Sequence, residues 1–170
     1  GFLLTQKLLP ALERAAEIHS ARVVFTSSYG HANSPLDFDD LNLEHGYTTL
    51  KAYGRSKLMN LLTARELQQR FGDKNIVSSS FHPGAVRTPI WRKGGLVAVL
   101  LSFVLYPFMQ NVENGAKTFI WLASSEDDTA KYPNGDYYFD RKLGSAAPFA
   151  TKEAAEQLWL ISKELTQPFI

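Results

Sequence analysis

The chain has 170 residues, room for one domain or part of one, and 45% of them are apolar, an ordinary share for a globular protein. A formal net charge of +1, with no basic run, gives no reason to expect a nucleic-acid partner. There is no cysteine, so neither a disulfide nor a thiolate metal site exists, which is compatible with a reducing compartment.

Residues 2–17 place Leu3, Leu4, Leu8, Leu9, Leu12, Ala15 and Ala16 at helical spacing, with Pro10 as the one point where a helix would kink. Gly1-Phe2-Leu3-Leu4-Thr5 starts inside this apolar pattern, without an initiator Met or a signal peptide, so a partial chain is expected. Arg22–Thr26 is a short β-branched run that fits a strand covered on both faces, as in a parallel sheet. It ends at Ser27-Ser28-Tyr29-Gly30, and open α/β sheets bind their ligands outside the carboxyl ends of strands. Residues 31–48, with Pro35, Asp37, Asp39, Asp40, Asn42 and Gly46, read as a surface loop long enough to be a functional edge.

The strongest helix is expected over residues 50–71. Leu58, Leu61, Leu62, Ala64, Leu67 and Phe71 supply its apolar face, and Gly72 its C-cap. Residues 75–81 read as the next strand, leaving sharply at His82-Pro83-Gly84. Leu96–Phe108 is strongly apolar but too short to span a bilayer, so it reads as a buried lid over a substrate pocket or a contact with a membrane surface. Residues 112–124 form another helix, Tyr137–Phe139 a short strand after the Asn134-Gly135 turn, and residues 152–166 a closing helix. Trp121 and Trp159 fall among apolar neighbours and belong to the core. Repeated strand–helix–strand order implies an α/β fold with a parallel sheet.

Three tyrosines stand four residues before a lysine: Tyr47/Lys51, Tyr53/Lys57 and Tyr138/Lys142. In a helix such a pair shares one face; in a strand it does not meet. Tyr138 lies in the expected strand and Tyr47 in the polar loop, so Tyr53/Lys57 is the pair that a helix holds together. A phenol ionises near pH 10 in water, and a fixed cation beside it favours the phenolate. Such a phenol can exchange a proton with a carbonyl or alcohol oxygen. His31, His45 and His82 show no metal-ligand spacing and are assigned structural or loop roles, so no metal site is expected.

Taken in order, several motifs resemble one family. They are Phe2-Leu3-Leu4-Thr5; Arg22-Val23-Val24 leading to Ser27-Ser28, with His31 shortly after; Tyr53-x-x-Ser56-Lys57-Leu58-x-Asn60; and His82-Pro83-Gly84-x-Val86-x-Thr88. Gly115-Ala116, Gly135-x-Tyr137-Tyr138 and Leu158-Trp159-x-x-Ser162 complete the series. The chain resembles the short-chain dehydrogenase/reductases, in the branch around the retinol dehydrogenases and the WW-domain-containing oxidoreductase, along essentially its whole length.

The resemblance implies a partial, doubly wound Rossmann-type sheet: residues 1–170 as the C-terminal portion of one NAD(P)-binding domain. It implies hydride transfer between NADP(H), with NAD as the other option, and an apolar carbonyl or alcohol of retinoid, steroid or lipid-aldehyde type. Ser28 would hydrogen-bond the substrate oxygen, Tyr53 would be the acid or base, and Lys57 would hold the nicotinamide ribose and favour the phenolate. Tyr53, Lys57, Pro83, Gly84, Val86 and Thr88 would line the cofactor, and the apolar 90–110 segment would be the variable substrate loop, with peripheral membrane contact through 96–108. A homodimer through the helices at 50–71 and 112–124 would follow by analogy, in the cytoplasm or on the cytosolic face of an intracellular membrane. The family's Thr-Gly-x-x-x-Gly-x-Gly pyrophosphate turn has no counterpart here, so the chain alone is expected to bind dinucleotide poorly. The rival readings are a non-catalytic, partner-binding chain and a sugar-nucleotide epimerase that uses the same serine, tyrosine and lysine. A Ser-His-Asp hydrolase fits poorly, because no Gly-x-Ser-x-Gly elbow exists.

Overall fold

The leucine-rich stretch in the first half of the chain becomes its longest helix, and the sheet is built around it. The structure, a computed structural model, describes residues 1–87 and 109–169. Helix α1 runs over Phe2–Ala16 with Pro10 inside it, and strand β1 over Ala21–Thr26. Helix α2 covers Thr49–Phe71. The Thr48 hydroxyl caps it by accepting the Lys51 N–H at 3.2 Å, and Gly72 ends it. Strand β2 is Ile76–His82, helix α3 Val112–Ser124 and the single turn α4 Asp128–Lys131. Strands β3 (Tyr137–Phe139) and β4 (Lys142–Leu143) precede helix α5, Lys152–Thr166, which Thr151 caps.

The sheet order is β1-β2-β3-β4. The first three strands are parallel, with Thr26 opposite Phe81 and Phe81 opposite Tyr138. β4 turns back antiparallel on β3. Helices cover both faces. On one, Leu58, Leu61 and Leu62 of α2 pack with Tyr137, Ala155 and Leu158, and Ala64 and Leu67 pack with Phe25 and Trp159. On the other, Leu122 of α3 packs with Phe81 and Tyr138. This is the expected α/β arrangement. Burying each of these leucines is worth about 1.5–3 kcal/mol, so α2 is held mainly by its apolar stripe.

Several expectations change in detail. β1 is covered on both faces, with Val23 on the Ala64 and Leu67 side and Val24 on the Leu122 and Phe81 side, yet only Ala21 and Phe25 are buried, because among the described residues it has a strand partner along one edge. The 31–48 stretch is not a plain surface loop. It begins with a 3₁₀ turn at Tyr29–Asn33 and buries His31, Ser34 and Leu43. The buried Arg55 guanidinium of α2 fastens it by donating to the Pro35 carbonyl at 3.0 Å and the Asp40 carbonyl at 2.7 Å. Trp159 is core, whereas Trp121 is half-buried against Tyr138. The α4 turn and β4 carried no recognisable sequence signal. Thr88 and the apolar 96–108 segment lie outside the described residues. Among those described, no helix is long and apolar enough to cross a membrane.

Candidate active site

β1 ends in two serines that point to different tasks. Ser27 is buried, and its hydroxyl donates to the Lys57 carbonyl at 2.8 Å, fastening the middle of α2 to the strand exit. Ser28 is half-buried, and its Oγ accepts the Gly30 N–H at 3.2 Å, capping the 3₁₀ turn. A hydroxyl that accepts one bond still has its own proton to donate. Ser28 can therefore offer that proton to an oxygen above the strand end.

α2 brings the two other candidates to the same edge. A Cβ built on Gly30 would lie 3.4 Å from Tyr53 Cε1 and 3.7 Å from Ser28 Oγ, so the phenol ring and the serine hydroxyl border one point. Tyr53 is 40% exposed, which leaves it reachable by a ligand. Lys57, one turn further on, sets its ammonium 5.5 Å from the centre of the Tyr53 ring, within cation–π range. Its Nζ also donates to the Thr26 carbonyl at 3.4 Å, beside Asn60 Nδ2, which donates to the same oxygen at 2.9 Å. Ser28, Tyr53 and Lys57 thus meet at the carboxyl end of β1.

The helix approaches this closely because Gly54 has no side chain. A Cβ there would collide with Ser34 Oγ and lie 2.6 Å from the Gly30 carbonyl oxygen. The other tyrosine–lysine pairs do not converge in this way. Tyr47 precedes the helix and is exposed. Tyr138 is buried on β3 with Lys142 across the turn on β4, and its hydroxyl donates to the Pro133 carbonyl at 3.3 Å. Burial, helped by Asp136, pushes the Tyr138 phenol up to about 12, the wrong direction for proton exchange near neutrality.

The Pro83–Val86 segment leaves β2 at the neighbouring strand end. Gly84 has φ +82°, a conformation that favours glycine, and a Cβ there would strike the Gln110 amide. That amide donates to the Pro83 carbonyl, and Gln110 N–H donates to Ala85 O at 2.9 Å while its carbonyl accepts Arg87 N–H at 3.0 Å. Gly115 of α3 lies against Val86, where a Cβ would be 3.4 Å from the Pro83 carbonyl. The segment is therefore stitched in place at the strand end next to that of β1.

His82 stacks on Phe139 with ring centres 5.2 Å apart, and its Nδ1 is buried without a hydrogen-bond partner. Burial, and then the proximity of His31, holds its pKa below the usual histidine range. His45 is exposed beside Asp40. Among the described residues, no three histidines or carboxylates stand together as metal ligands. A cavity of about 580 Å³ lies at the opposite end of the sheet, lined by His19, Arg22, Asn75 and Glu126, away from Tyr53.

A parallel sheet with helices on both faces, and a serine, tyrosine and lysine gathered at its carboxyl edge, defines a Rossmann-type α/β protein. By sequence the chain is similar to short-chain dehydrogenases. It is 38% identical over 166 residues to human retinol dehydrogenase 14, a match that takes in 95% of this chain and 48% of that protein. It is 32% identical over 174 residues to the chloroplastic short-chain dehydrogenase TIC 32 A of Brassica napus, covering 98% and 54%. The crystal structure of an uncharacterized protein from Mycobacterium paratuberculosis superposes with a TM-score of 0.63 at 25% identity, over 87% of this chain and 51% of that one. The chain spans about half the length of the curated relatives it matches. No family model matches the sequence.

Proposed function

We propose that this chain carries the proton-transfer and substrate-oxygen part of an oxidoreductase that moves a hydride between NADP(H), or NAD(H), and an apolar carbonyl or alcohol. The convergence of Ser28, Tyr53 and Lys57 on one strand end, with the ammonium against the phenol ring, is the observation that carries this reading. Similarity to a retinol dehydrogenase favours a retinoid or a comparable steroid or lipid aldehyde as the substrate class.

The donor set suits the nicotinamide end of a dinucleotide. Lys57 and Tyr53 would hold the ribose, and Pro83, Gly84, Val86 and Thr88 would line the nicotinamide end, with the Val86 backbone facing the carboxamide. Gly84, by having no Cβ, admits the Gln110 amide that holds this turn in place. The bound cofactor supplies or accepts the hydride. Tyr53 gives its proton to the carbonyl oxygen, or takes one from the alcohol, with the Lys57 ammonium standing against its ring. Ser28 donates to the same oxygen as negative charge develops on it.

The same reading pairs two copies through α2 and α3; Val112, Phe119 and Ile120 stand exposed on α3. It also sets the 96–108 segment against substrate or a membrane surface, and places the protein in the cytoplasm or on the cytosolic side of an internal membrane. The test is incubation of the full-length protein with NADPH deuterated at C4 and all-trans-retinal or a medium-chain aldehyde. One deuterium in the alcohol, seen by mass spectrometry, is the expected result. An absence of label across retinoid, steroid and aliphatic carbonyls contradicts the proposal.

A further inference from the structure

His31 is completely buried, yet both of its ring nitrogens are engaged. Nε2 lies 3.2 Å from the Ala147 amide nitrogen, and Nδ1 lies 2.6 Å from the Ser28 carbonyl oxygen. An amide N–H can only donate, so Nε2 must carry no proton. A carbonyl can only accept, so Nδ1 must carry one. Two independent neighbours, 116 residues apart in the case of Ala147, therefore demand the same neutral tautomer.

The Ser28 carbonyl receives a second donor from the same residue, the His31 backbone N–H at 3.1 Å. On the other side of Ser28, its Oγ accepts from Gly30. The ring is also wedged edge-on against Tyr137, with centres 4.8 Å apart. The turn that aims the Ser28 hydroxyl is thus fixed to β3 and to the segment after β4, through one side chain. A leucine of similar volume could fill the space, but it would leave the Ala147 amide buried and unsatisfied and release the Ser28 carbonyl.

We propose that His31 is a positioning residue for Ser28, holding the serine's peptide by a donated Nδ1–H bond while Nε2 anchors that bond to the Ala147 amide. The inference rests on the catalytic reading of Ser28 given above. His31 touches no reacting atom; it acts through the direction in which the serine hydroxyl points. A displacement of the hydroxyl would weaken charge stabilisation in the transition state and leave cofactor binding alone.

Two substitutions separate its two bonds. His31→Asn retains a donor near the Nδ1 position and loses the reach to Ala147. His31→Gln retains an acceptor near the Nε2 position and loses the donor to Ser28. In the full-length protein, His31→Asn is expected to keep kcat within about threefold of the parent and His31→Gln to lose about 10- to 100-fold, the scale of a misplaced reacting group, with KM for NADPH unchanged in both. The two variants are expected to have similar thermal midpoints, since each gives up one buried bond. A His31→Gln variant with the parent kcat overturns the proposal, as does a pair of variants whose kcat falls in step with thermal midpoint.

Nitrogen-15 NMR of the unsubstituted protein provides a measurement that needs no variant to fold. His31 is expected to show a protonated Nδ1 and a bare Nε2, and the opposite tautomer overturns the proposal. Tyr53→Phe separates the two claims. A carbonyl-reducing rate that survives Tyr53→Phe sinks the catalytic reading and the role of Ser28 with it, whereas a Tyr53-dependent rate that survives His31→Gln sinks the positioning role alone.

Discussion

Gly54 sits next to the candidate acid in sequence and decides how near that acid comes to its partners. With Ser34 and the Gly30 carbonyl both inside the space of a Cβ, Gly54→Ala must push α2 away from the 3₁₀ turn. Tyr53 would move with the helix and Ser28 would not. Overpacking of this kind costs about 1–3 kcal/mol, and a displacement near 1 Å can lower turnover about 100-fold. The expected result is a lower thermal midpoint together with a fall in kcat larger than any change in cofactor KM; a variant with unchanged kcat contradicts it. The tyrosine and lysine were legible in the sequence because their relation is local: four residues on one helix. Gly54 was not, and His31 was legible only as a motif residue with a structural or loop role. What makes Gly54 necessary is a turn some twenty residues upstream in the chain. His31 takes its meaning from two backbone atoms, and backbone groups leave no residue-type signature.

The elements follow the same division between local and distant causes. α2 could be read from its leucines, because a 3.6-residue period repeated over six turns has no competing interpretation. β2 and β3 could be read from short runs bounded by turn residues. Other elements depend on where the chain returns. β4 is two residues long and exists because Asp140 and Arg141, both at positive φ, turn the chain back on β3. The 31–48 stretch has a polar composition, so it reads as a loop, but a buried arginine from the next helix holds its carbonyls. The partial burial of β1 likewise depends on its having one strand partner among the described residues, which β-branched composition does not encode.

At the scale of the whole molecule, a buried histidine, His31, and a half-buried one, His82, make folding sensitive to mild acid. Burial is the first cause that holds His31 and His82 below the ordinary value of 6.5. The unfolded chain therefore takes up protons near that pH, while the folded chain resists them. Stability is fully present above about pH 6.5 and falls as the pH drops toward the lowered values. Asp136 works in the opposite sense, since burial raises its pKa above 3.8 and folding there favours the proton. Urea midpoints are expected to fall between about pH 7.5 and about pH 5.5, and less steeply in His31→Asn. Equal slopes in the two proteins would exclude His31 as a source. The arrangement as a whole places a half-exposed phenol beside a serine hydroxyl and a lysine ammonium at the edge of a parallel sheet, and the proposed function depends on that one hydroxyl group. The most direct measurement is the rate of NADPH-dependent aldehyde reduction by Tyr53→Phe in the full-length protein, with cofactor affinity followed by nicotinamide fluorescence. A rate at least about 100-fold lower with cofactor affinity retained is the expected outcome. Reduction at the parental rate would contradict the account.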